Sequence, residues 1–202
     1  MQLDPVHDAQ RCFRKIMEAM ASPGSIVELG EEASRVDIEL PICKGLLLVA
    51  LTLLDSESSF AVTTADRRDW TLQIVRGITR EIARLSYAKA APAADADFVL
   101  ALGRGKAVAE AIASARPGTL LDPQLGATVL AEAGRLDREG PLLLTGPGIE
   151  SSSRIGVDLD PSWIAERERK NLEFPLGVDL ILVDSLSRLA ALPRTTAVAA
   201  VG

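Results

Sequence analysis

The apolar residues of this chain change their spacing half-way along, and that change sets the fold class. In the first half, stretches of helical period alternate with short apolar runs. Residues 5–20 place Val6, Ala9, Phe13, Ile16, Met17 and Met20 at i, i+3, i+4, i+7 spacing, the signature of one buried helix face. Asp4 suits the N-cap and Pro5 the first helical position, while Pro23 and Gly24 end the helix. A strand over 25–29, a helix over 41–54 and a strand over 60–64 follow. Next come a helix over 66–77, in which Trp70, Ile74 and Gly77 share a face, a strand over 98–102 and a helix over 105–114. The Ala/Asp-rich stretch 88–97 reads as a surface connection. In the second half short strands cluster at 127–132, 141–145, 152–157, 178–184 and 188–192, with one helix at 161–171. This order predicts an α/β protein, a single-domain three-layer sandwich over 1–202. Its sheet is mixed, with parallel pairs formed early and antiparallel pairs late.

Composition excludes several functions. Aromatic residues are only 3% of the 202, so the core is built from Leu, Ile, Val and Ala, and base-stacking platforms for single-stranded nucleic acid are not expected. A net charge of -6 argues against general affinity for nucleic acid or an anionic membrane. A local basic pocket for a phosphate-bearing small molecule remains open. The longest apolar stretch, Leu46 to Leu54, is nine residues interrupted by Thr52. A membrane span needs about 20. Cys12 and Cys43 stand alone on helical stretches and read as buried thiols of a reducing compartment. The N-terminal stretch, charged from Asp4 onward, has no apolar signal core. A soluble, cytoplasmic chain is the expectation.

Few residue groupings carry chemistry. His7, the only histidine, sits with Asp4 and Asp8 where a helix begins, and the spacing is no recognised metal set. No GxSxG elbow accompanies it. Gly103-Arg104-Gly105-Lys106-Ala107 imitates a phosphate loop, but Leu100 replaces the first glycine and Ala107 the magnesium-binding hydroxyl. A strand-to-helix turn is the plainer reading. Gly146 and Gly148, in Thr145-Gly146-Pro147-Gly148, permit close approach of a partner or an anion to the backbone. They equally make an ordinary tight turn. Arg194, Thr195 and Thr196 follow a strand and suit a phosphate or phosphonate oxyanion. Arg194 has a second possible partner in Asp179, a pairing that would lock a sheet edge. The run Glu166 to Lys170 reads as a solvated helix face.

Four blocks, PVHDAQRCFRKIMEAMASPG at 5–24, LLLTGPGIE at 142–150, FPLGVDLILV at 174–183 and LPRTT at 192–196, together resemble the PhnH family, a subunit of the bacterial carbon–phosphorus lyase system. The resemblance implies a fold similar to pyridoxal-phosphate-dependent transferases, without the cofactor. It implies work on the step that joins a phosphonate to the ribose of ATP, releasing adenine and giving a ribose 1-phosphonate 5-triphosphate. It also implies a homodimer when isolated, and assembly with the G, I and J subunits, where ATP or phosphonate could be contacted. The family carries no catalytic motif across to this chain. Gly146, Gly148, Arg194, Thr195 and Thr196 therefore stand as candidates for an anion or a subunit contact. An autonomous transferase with an anion pocket near Arg194, and a purely structural adaptor, are the alternatives.

Overall fold

The computed structural model describes Asp4 and residues 6–201. Helix α1 (His7–Ala21) is held at its start by Asp4, whose Oδ1 accepts from the Val6 and His7 N–H groups at 2.9 Å each. The expectation for Pro5 lies outside the described residues. The buried stripe of α1 is Asp8, Cys12, Ile16 and Ala19, so Phe13 and Met17 of the expected face remain about half exposed. Strand β1 (Val27–Glu28), the short helix α2 (Gly30–Ala33) and helix α3 (Lys44–Leu53) follow. Six consecutive residues of α3, Gly45 to Ala50, are buried, as expected of a central helix apolar all round.

A strand β2 (Ser59–Thr64) leads to helix α4 (Asp69–Ser86), which runs well past the expected end at 77 because Ile78, Ile82 and Ser86 continue a buried i, i+4 row. The face carrying Trp70 and Gly77 is largely exposed. Strand β3 (Lys89–Ala90) occupies part of the expected surface connection. Strand β4 (Phe98–Leu102), helix α5 (Ala107–Ser114), a 3-10 turn at Pro123–Leu125 and strand β5 (Thr128–Ala133) come next. The chain closes with β6 (Leu136–Thr145), β7 (Ser153–Val157), α6 (Ser162–Lys170), β8 (Asp179–Asp184), β9 (Arg188–Leu192) and β10 (Ala197–Ala200).

Seven strands form one mixed sheet in the order β1-β9-β8-β5-β4-β2-β3. The run from β3 to β8 is parallel, and β9 and β1 join it antiparallel. The late strands do not all join this sheet. β6, β7 and β10 make a separate antiparallel sheet in the order β10-β6-β7.

Alternation along the central strands explains the layers. Val99, Ala101, Val129, Ala131, Leu180 and Leu182 face one core, and Leu100, Leu130, Ile181 and Val183 face another. The second core lies under α1, α3 and α4, with Leu46 to Ala50, Ile78 and Ile82 at its centre. The first is closed by α5, α6 and the small sheet, through Ile112, Trp163, Leu142 and Ile155. Each Leu or Ile so buried contributes about 2 kcal/mol relative to exposure. Alanines are frequent in the core between α5 and the sheet (Ala109 and Ala111 with Ala101, Ala131 and Ala133), and their small side chains let backbone layers come close. The molecule is thus mixed α/β in three layers. Among the described residues, no helix is long and apolar enough to cross a membrane.

Candidate functional site

The segment Pro193 to Thr196 carries the chain from the large sheet to the small one, and helix α6 fastens it. Arg167, on α6 and only 3% exposed, donates from Nη1 to the Thr196 carbonyl at 2.8 Å. Its Nη2 donates to the Pro193 carbonyl at 2.5 Å and to the Leu192 carbonyl at 3.3 Å. The run Glu166 to Lys170 is therefore not wholly a solvated face. Trp163 and Arg167, four residues apart, both turn inward. Arg167 has no carboxylate among its hydrogen-bond partners. Burial pulls its guanidinium down to about 10, against the field of Asp179, so it is still charged at neutral pH.

Arg194 has the partner that the sequence left open. Its backbone N–H donates to Asp179 Oδ1 at 2.7 Å and its Nη2 to Oδ2 at 2.8 Å. Nη1 donates to the Pro123 carbonyl at 2.8 Å, tying in the loop before β5. Asn171, at the end of α6, accepts from the Val178 N–H at 2.8 Å and donates to the Val178 and Arg194 carbonyls. This clasp joins α6, the start of β8 and the exit from β9.

The two glycines approach backbone closely, and that backbone is the chain's own. Gly146 has φ +137, and a Cβ there would lie 2.7 Å from the Thr195 carbonyl oxygen. Gly148 has φ +83, and a Cβ there would collide with the Ala21 carbonyl at the end of α1. Thr195 is exposed, and Thr196 is buried.

These pieces border one cavity of about 480 Å³, lined among others by Pro147, Ile164, Arg167, Phe174, Thr196 and Val198. Of the five expected residues, Arg194, Thr195 and Thr196 line it, while Gly146 and Gly148 do not and border it only through Pro147 between them. Two polar atoms of residues that line the cavity, Arg167 Nε and Thr196 Oγ1, are buried without a hydrogen-bond partner. Each such group costs about 1–3 kcal/mol while unpaired. Arg167 was not legible as a site residue, although the apolar Trp163 and Ile164 one turn earlier signal an inward face.

The other groupings settle into local roles. The His7 ring lies 3.0 Å from Asp4 Oδ2 at an exposed helix start. Among the described residues no group of three or more His, Cys, Asp or Glu is placed to hold a metal ion. Gly103 to Lys106 makes the turn from β4 into α5. Burial pushes the Cys12 and Cys43 thiols up to about 11, so neither is a ready thiolate at neutral pH.

A family model described as bacterial phosphonate metabolism protein (PhnH) matches residues 2–199. The chain belongs to the PhnH family. Within it, a protein of Stutzerimonas stutzeri named as a candidate C-P lyase subunit, HtxG, is 37% identical over 189 residues, 93% of this chain and 84% of that protein. A protein of Rhizobium meliloti (strain 1021) named alpha-D-ribose 1-methylphosphonate 5-triphosphate synthase subunit PhnH is 28% identical over 205 residues, covering 96% and 91% of the two chains. The PhnH match includes the α1 block, the Gly146–Gly148 turn and the α6 clasp, so the bordering elements of the cavity all fall inside it.

Proposed function

We propose that this chain is a subunit of the carbon–phosphorus lyase core complex. It serves the step in which a phosphonate is joined to the ribose of ATP, adenine leaves and a ribose 1-phosphonate 5-triphosphate forms. The observation that carries this reading is the family match across residues 2–199. The relative named as a subunit of the corresponding methylphosphonate synthase, aligned over nearly the full length of both chains, supports the same step.

A dependent subunit is a better reading than an autonomous transferase. Displacing adenine calls for an aligned nucleophile and a proton for the departing base. The residues lining the α6 cavity include no His, Cys or Asp, and their one carboxylate is the exposed Glu168. His7 is an exposed residue at the start of α1. The chemistry is thus shared with the G, I and J partners. The same reading makes the chain a cytoplasmic homodimer before assembly, with a fold akin to the pyridoxal-phosphate-dependent transferases but no such cofactor. Exposed Leu120, Leu121, Leu172, Phe174 and Leu186 are apolar surface that association would cover.

Complementation tests the role in cells. A bacterium deleted for its own PhnH subunit should regain growth on methylphosphonate as sole phosphorus source when it expresses this chain. Continued failure there, with normal growth on phosphate and the chain present in soluble form, would overturn the reading.

A further inference from the structure

We propose that the cavity beside α6 is a binding site for a small organic anion, an oxyanion head carried on a compact apolar body. The head is held by Arg167 and Thr196, and the body lies on Ile164, Phe174 and Val198. This inference rests on the cavity alone and is independent of the proposed subunit role.

Three observations converge on it. The volume of about 480 Å³ falls within the roughly 300–1,000 Å³ of ligand pockets, and apolar side chains make up much of the lining, as in such pockets. The charge at the wall is uncompensated: Arg167 is 3% exposed and its hydrogen bonds all go to carbonyl oxygens. The nearby Asp179 is already engaged by Arg194 at 2.8 Å, so it does not neutralise Arg167 directly. Finally, Arg167 Nε and Thr196 Oγ1 are both without a partner. One is a donor only and the other can donate, so a single acceptor-rich oxyanion satisfies both. A cation is disfavoured by the guanidinium, and a neutral alcohol leaves the charge unanswered. Both atoms are covered, so binding requires the Arg167 and Thr196 side chains to turn toward the cavity that both residues line.

The purified chain is titrated by calorimetry with phenylphosphonate, with inorganic phosphate as the head alone and with benzyl alcohol as the body alone. Methyl resonances of Ile164 and Val198 report where the probe sits. Phenylphosphonate is expected to bind saturably, at least tenfold more tightly than phosphate, with no saturable binding of the alcohol and with shifts concentrated at those two methyl groups. Thr196→Val, which keeps the shape and removes the hydroxyl, should weaken phenylphosphonate at least tenfold while leaving Tm within about a degree or raising it. Arg167→Lys, which keeps the charge but loses the fork, should retain weak, salt-sensitive binding if it folds. Since Arg167 also fastens the crossover, the Thr196 variant carries the decision. Equal binding of phosphate and phenylphosphonate, shifts at other methyl groups, undiminished binding by Thr196→Val, or no saturable binding would each overturn the proposal.

Discussion

Arg194 illustrates how far single residues could be read. An antiparallel β8–β9 hairpin, with Leu180 opposite Leu192, brings position 179 beside the exit at 193–194, so the Asp179 pairing follows from strand register. The pair is 16% exposed on both sides. Arg194→Ala leaves Asp179 with only the backbone N–H and leaves the Pro123 carbonyl with only the Gly126 N–H. The expected loss is about 2 kcal/mol, below the usual cost of splitting a fully buried pair because water still reaches it. Thermal unfolding should show Tm lower by roughly 4–8 °C, whereas Thr195→Ala, at an exposed neighbour, should leave it within about a degree. An unchanged Tm for Arg194→Ala would mean that the clasp does not hold the sheet edge. Arg167 was illegible for a different reason. Among five charged residues in a row, composition masks the one that turns inward, and only the spacing from Trp163 betrays it.

Helices and strands with strong periodicity were legible, and weakly patterned ones were not. The apolar runs of β2, β4, β5, β8 and β9 fall where expected because both faces of the large sheet are covered. β10, with sequence AVAA, lacks an alternating pattern and exists through its pairing with β6. The helix expected over 66–77 missed the second half of α4, and Gly77, expected on a shared face with Trp70 and Ile74, lies mid-helix with nothing within 4 Å of the place a Cβ would take. Gly77→Ala should therefore stabilise the protein by about 0.5–1 kcal/mol, a Tm rise of roughly 1–4 °C. A fall in Tm would contradict this account of α4. At the start of α1, hydrogen bonds from the His7 and Val6 N–H groups, followed by the His7 side chain, hold Asp4 down to about 2, below its ordinary 3.8. A carboxylate with a depressed value stabilises the fold above its ordinary value and loses that contribution as pH falls through the folded one. Amide exchange at Val6 and His7 should accelerate, beyond the intrinsic pH dependence, as pH drops from about 4 to about 2. Asp4→Asn should abolish that added dependence, and a wild-type profile in the variant would assign it elsewhere.

At the scale of the whole molecule, the mixed sheet and its two cores were readable from the order of segments, and the division of the strands into two sheets was not. Nothing local distinguishes β6 and β7 from strands of the large sheet. They separate because α5, α6 and the small sheet must jointly cover one face, with Trp163, Leu142 and Ile155 meeting there. The α6 clasp and its cavity lie where that second layer meets the sheet edge, assembled from segments far apart in sequence, which is why motif reading found only part of them. Family membership spans this entire assembly, from residue 2 to 199, and supports a role that belongs to the molecule as a unit within a larger complex. The most direct measurement is adenine release from ATP plus methylphosphonate, with formation of the ribosyl phosphonate followed in parallel, for the chain alone, for its partner subunits alone and for the mixture. The account predicts product only in the mixture, at a rate that collapses when this chain is omitted. Product from this chain alone, or full activity of the partners without it, would contradict the account.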